Sequence, residues 1–115
     1  MKPSAEPDPL AELAASIRLQ RQLAAKARAD LESSIEVLVK AIGCGSGQAA
    51  KIERLVWSIW NDEHPVRLCD CLCGLDANIG VAVLAMIAAR IHLGGDADDL
   101  LRRIIDESGS QPPPA

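Results

Sequence analysis

Three cysteines in the run Cys69-x-Cys71-x-Cys73, with His64 five positions upstream and Cys44 further back, are the residues of this 115-residue chain best suited to chemistry. Thiolate and imidazole are the ligands zinc prefers, and a thiolate beside a histidine can act as nucleophile and base. Zinc sites draw on pairs spaced about two to four residues apart, however, and no second pair follows here. On a helix, Cys69 and Cys73 share a face while Cys71 points elsewhere, so three thiolates do not converge locally. Packing as small apolar side chains is therefore the expected role. A thiolate metal site with Cys69, Cys71, Cys73 and His64 as candidate ligands stands as an alternative, and no cofactor is expected.

The remaining candidate chemistry is sparse. With two histidines, no Tyr and no nucleophile motif, neither His64 nor His92 has an evident catalytic partner. Asp62, Glu63, Asp70 and Asp76 fall in turns and helix starts, where carboxylates are solvated or capping. No catalytic residue is assigned, and the chain is not expected to be an enzyme. The loop Gly43-Cys44-Gly45-Ser46-Gly47 lacks the Gly-Lys-Ser/Thr of a phosphate loop. Gly43 as a left-handed helix terminator and Ser46 as the next N-cap account for it. Arg18, Arg21, Lys26 and Arg28 form a basic run that could touch phosphates. Aromatic interleaving is missing and the net charge is −4, so a nucleic-acid-associated regulator is the alternative rather than the first reading.

The elements that must position these residues are helical. Phe and Tyr are absent, and Trp57 and Trp60 are the only aromatic residues, so the core must be aliphatic. Asp8-Pro9 is a helix start, with Asp as N-cap and Pro in the first turn. From there Leu10, Leu13, Ile17, Ala24, Ala27, Leu31 and Leu38 recur at spacings of three, four and seven, in a heptad-like strip. Leu19, Leu23, Ile35, Val37, Val39 and Ile42 add a second strip. One long helix over 9–42 is predicted, with Asp30 the point where it could break. Its first half could outreach a small domain and pair with another chain.

Further helices are predicted over 47–60, 77–93 and 97–107, with a single turn at 69–73. The helix over 47–60 places Ala49, Ile52, Val56, Ile59 and Trp60 on one face and leaves Trp57 off it, available to a partner together with Asp62 and Glu63. Pro65 stops that helix, while Val66 and Leu68 turn back to the core. Asp76 and Asp96 are the predicted N-caps of the last two helices. The helix over 77–93 is apolar nearly all round, which suits the middle of a bundle. Residues 1–8 and 108–115 are expected to be disordered tails.

The chain carries 8 basic and 7 acidic residues over 1–59, against 4 and 9 over 60–115. Its N-terminus has no apolar leader, and the run Ile79–Ala89 is too short for the roughly 20 residues a bilayer requires. A soluble cytoplasmic protein with reduced thiols is expected, making no membrane contact.

Residues 55–93 resemble a family of uncharacterised small helical proteins of proteobacterial plasmids, phages and integrative elements. The likeness is carried by Trp60-Asn61, Leu68-x-x-x-Leu72-x-Gly74-Leu75-Asp76, Ile79, and the run Met86-Ile87-Ala88-Ala89-Arg90-Ile91-His92. That family has an aromatic residue near position 68 and polar residues at the cysteine positions, so the resemblance implies no shared thiol site. It implies a helical accessory protein of a mobile element.

The combined expectation is a single all-α domain over 9–107, a small bundle of four main helices with a long first helix and a nearly all-apolar central one. Its expected role is a non-catalytic protein-interaction module, bound to a protein partner of unknown identity or to a second copy through the first helix. Candidate contact residues are Trp57, Asp62, Glu63, Arg18, Arg21 and Arg28. Inhibition of a host defence complex is a further alternative.

Overall fold

Local signals for helix starts and stops are turned into five helices and one 3-10 turn in the computed structural model, which describes residues 8–45 and 47–113. Helix α1 runs Pro9–Gly43, α2 Ala49–Trp60, α3 Leu68–Leu72 and α4 Ala77–Leu93. The 3-10 turn Gly94–Ala97 then leads into α5, Asp98–Ser108. No strand is present among the described residues, and the fold is all-α.

Helix α1 begins as its residues dictate. The Asp8 carboxylate accepts a hydrogen bond from the Leu10 amide at 3.0 Å, and Pro9 occupies the first turn. The helix is unbroken at Asp30. Ser33 and Ser34 each donate a hydroxyl hydrogen bond to the Asp30 carbonyl, at 3.0 and 2.8 Å, and Lys26 pairs with the Asp30 carboxylate at 2.7 Å. The helix continues through Gly43, and the left-handed residue after it is Gly45 (φ 63°) rather than Gly43. The expected cap at Ser46 lies outside the described residues, as does the tail at 1–7.

Four expectations about helix ends change. Helix α2 starts at Ala49, two residues late, with Gln48 at the cap position, where its carbonyl accepts from the Ile52 amide at 3.0 Å and its side-chain oxygen from the Asp76 amide at 2.8 Å. Asp76 precedes α4 without making a side-chain cap. Asp96 does not cap α5, because the Gly94-Gly95 pair turns into a 3-10 helix that absorbs it and leaves Ala97 at the cap position. The C-terminal segment is not a loose tail from residue 108. Gly109 takes a left-handed conformation (φ 67°), and the Ser110 amide bonds back to the Ile105 carbonyl at 3.1 Å.

The core is aliphatic and lies between α1, α2, α4 and α5. Leu31, Leu38, Ile52, Leu55, Met86, Leu101 and Ile104 are its largest fully buried side chains. Helix α5 buries the stripe Leu100, Leu101, Ile104 and Ile105 that its sequence predicts. Helix α4 packs along α1 in the opposite direction: its start lies by Gln48, and the turn beyond its end meets Arg28.

That arrangement covers only the second half of α1. Ala27, Leu31, Ile35, Leu38 and Ile42 are buried, and among the described residues none before Ala27 is. The molecule measures 68 × 26 × 26 Å, and its radius of gyration is 18.0 Å, against about 13 Å for a compact domain of this length. The excess is the projecting half of α1.

Candidate functional site

The projecting half of α1 carries a row of exposed apolar side chains. Leu10 is 76% exposed, Leu13 57%, Leu19 55% and Ile17 40%. Leu10, Ile17 and Ala24 continue the seven-residue repeat of Leu31 and Leu38, so they prolong the face that α4 and α5 cover further along. Apolar side chains on an unpartnered helix keep unfavourable contact with water, at roughly 25 cal/mol per Å². Among the described residues no other helix covers this half.

The basic run on the same helix divides in two. Lys26 is engaged with Asp30, and Arg28 with Asp99 at 2.7 Å and Glu32 at 3.2 Å. Its hydrogen bond to Asp99 raises the Arg28 pKa and holds the Asp99 carboxyl below the usual range. Arg28 therefore fastens the turn before α5 to α1 rather than reaching outward. Arg18 and Arg21 are exposed and have no ion-pair partner among the described residues.

A second feature gathers at the end of α2. A depression of about 530 Å³ is lined by residues including Trp60, Asn61, Asp62, Arg90 and Asp98. Arg90 lines this depression with most of its donors engaged within the chain. It donates to the carbonyls of Ile59 (2.9 Å), Trp60 (3.2 Å) and Gly94 (2.6 Å), and to the Asp98 carboxylate (2.7 Å). These are the carbonyls that the ends of α2 and α4 leave without helical partners. Arg90 joins three elements and offers no free charge to a ligand.

Trp57, expected off the apolar face, is buried at 8% exposure. Its indole N–H donates to the Ser110 hydroxyl at 3.0 Å, which in turn donates to Glu53 at 2.7 Å. Trp60 stands edge-on to it at 5.5 Å and His64 at 5.0 Å. A partner can reach almost none of Trp57. Asp62 and Glu63 are exposed, and the accessible aromatic beside them is Trp60, with the Arg102 guanidinium 5.4 Å from its ring centre.

The cysteine candidates do not come together. Cys71 is buried in the core, whereas Cys69, Cys73 and Cys44 are exposed. His64 packs on Trp57 rather than on the thiols. Among the described residues no three His, Cys, Asp or Glu side chains are placed to hold a metal ion. Leu68, expected to turn inward, is 54% exposed at the start of α3.

Sequence reasoning also missed an exposed strip on α4. Val81, Leu84 and Ile91 are 66%, 65% and 68% exposed, so this helix is not enclosed on all sides. The signal was present in the spacing of Val81, Leu84, Ala88 and Ile91, but the equally apolar opposite face concealed it. An 18-residue window within Ala77–Ser108 has a mean hydropathy of 1.6, apolar enough by composition to cross a membrane, a test that the core helix of a bundle also passes. In the fold, Ile79, Ala82, Val83, Ala85, Met86 and Ala89 of α4 face the bundle.

A family model described as a family of unknown function, DUF7673, matches residues 32–108, and the chain belongs to that family. The matched span holds most of the covered part of α1, from Glu32 onward, and the rest of the bundle. No curated protein and no solved structure matches the chain.

Proposed function

We propose that this DUF7673-family chain is a non-catalytic protein-interaction module whose working surface is the projecting half of α1. The observation that supports the reading is the exposure of Leu10, Leu13, Ile17 and Leu19 on a helix that runs past the end of its own bundle. Aliphatic side chains at helical spacing on a free helix are how helix-in-helix recognition is built. The surface gathers no catalytic constellation.

Self-association is the simplest form of this reading. Sedimentation of the full chain over a wide concentration range tests it, with a Leu13→Glu variant beside it. Association that the variant weakens is expected. A strict monomer whose α1 also forms no cross-links to any other protein sinks the proposal.

The resemblance of residues 55–93 supports a place in the accessory repertoire of a bacterial mobile element, and the lack of an apolar leader in the sequence supports a cytoplasmic location. The position of the coding sequence among replication or transfer genes checks the first, and fractionation of cells checks the second. A nucleic-acid role would rest on Arg18 and Arg21 alone, since Lys26 and Arg28 are engaged within the chain. Binding to DNA or RNA that weakens steeply with salt would favour it.

A further inference from the structure

We infer that the partner of the projecting helix is a second copy of this chain, and that each copy lays residues 10–24 of α1 along the outer face of the other's α4. The inference rests on the interaction reading above and adds where the helix docks.

Two unpartnered apolar strips exist in one molecule, and they match in form. On α4 the strip is Val81, Leu84, Ala88 and Ile91, at spacings of three, four and three, which is the a/d rhythm of a helix seam. It borders a groove of about 450 Å³ whose other wall is α1, at Lys26, Asp30, Ser33 and Ser34. A groove between two parallel or antiparallel helices takes a third helix. The α1 strip from Leu10 to Ala24 is about 21 Å long and the α4 strip about 15 Å, by the helical rise.

Area favours the reciprocal arrangement, with about 420 Å² of helix face from each copy, over pairing the two projecting helices alone, with about 270 Å². The exposed part of α1 is about 27 Å long and 10 Å wide, only two heptads of seam. A stable interface needs about 800 Å² from each partner. Either strip alone falls well short of that. A two-fold pair in which both copies offer both strips uses each patch once and leaves neither wet, as an isologous interface requires.

Position and charge agree. Because α4 runs opposite to α1, its Ile91 end lies beside Arg28, close to where the projecting half leaves the bundle. A two-fold axis near that point sends each free helix back along the other copy's groove. At the same end Asp96 is exposed, and its carboxylate has no ion-pair partner among the described residues; Arg28 contacts only its carbonyl. Arg18 and Arg21 of the incoming helix carry the complementary unpaired charge.

The test is the dissociation constant of the full chain by sedimentation equilibrium, with the folded state followed by circular dichroism. Leu84→Glu and Ile91→Glu alter exposed positions on α4, and Leu13→Glu alters the projecting helix. Expected is a dimer that each of the three weakens by about tenfold or more. Equal amounts of Ile17→Cys and Leu84→Cys chains, in a background with Cys44, Cys69 and Cys73 changed to Ser, should also form a mixed disulfide dimer. A dimer weakened by Leu13→Glu but indifferent to both α4 variants would overturn this docking site while leaving self-association through α1 intact. A strict monomer overturns the second copy as occupant. So does binding of the wild-type chain to phosphatidylglycerol vesicles that Leu84→Glu abolishes, since the α4 strip would then face lipid.

Discussion

Arg90 shows how much of the fold can hang on one side chain. It closes the carbonyl ends of α2 and α4 and holds Asp98 at the start of α5. Arg90→Ala should lower unfolding free energy by about 2–3 kcal/mol in urea denaturation, because several carbonyls lose their donor together. Arg90→Lys should recover little, since an ammonium cannot span the same fork of acceptors. The Arg28–Asp99 pair makes a pH-dependent contribution. The Asp99 carboxyl is held below its usual range by its hydrogen bond from Arg28, so the stabilisation is complete above the unfolded carboxylate value. It is lost as pH falls through the lowered folded value. Asp99→Asn should therefore melt slightly below wild type at neutral pH, and the gap should close below about pH 4, as thermal melts across pH would show. The thiols separate by exposure: maleimide should modify Cys44, Cys69 and Cys73 in the native protein and Cys71 only on unfolding, read by mass spectrometry. That separation was only partly legible, since Cys-x-Cys-x-Cys indicates that the middle residue diverges but not which side the core is on.

Among the elements, α1 is two helices in physical character. From Ala27 onward it is a core element, where Leu31→Ala or Leu38→Ala should cost about 2–5 kcal/mol through the cavity left behind. Before Ala27 it is a free helix, and Leu10→Ala or Leu13→Ala should leave the denaturation midpoint of the monomer nearly unchanged. Its start was legible because an N-cap and a first-turn proline act on their own neighbours. Where it leaves the bundle was not, since the heptad-like repeat runs from Leu10 to Leu38 with a polar interruption on each side of that point, Gln20 and Ser34. Only the length of α4, and the Gly94-Gly95 turn that ends it, sets the boundary. Helix α4 presents the reverse difficulty. Apolar all round, it carries no period to say which side is covered, so an enclosed central helix was expected and an open strip was found.

At the scale of the molecule, elongation is the property that matters. A helix projecting some 25 Å beyond a bundle should give a sedimentation coefficient low for the mass. Small-angle scattering on dilute protein should give a radius of gyration near 18 Å rather than about 13 Å. Reciprocal docking of two copies would yield a dimer more compact for its mass than the monomer. The all-α class was legible at this scale from an aliphatic, alanine-rich composition. The open surfaces were not: residues 55–76 concentrate the tryptophans and three of the cysteines, yet Trp57 and Cys71 serve the core.

The sequence by itself determined the helices, the breaks at Pro65 and Gly94-Gly95, the core stripe of α5 and the aliphatic nature of the interior. These depend on capping, backbone restriction and periodicity, which act within a few residues. Only the tertiary structure decided that Trp57 is buried, that Arg28 and Arg90 are fasteners rather than contacts, and that half of α1 and one face of α4 are open to water. Each of those turns on a neighbour tens of positions away in the chain. Ser110 covers Trp57, Asp99 takes Arg28, and the end of α4 leaves the first half of α1 without a partner.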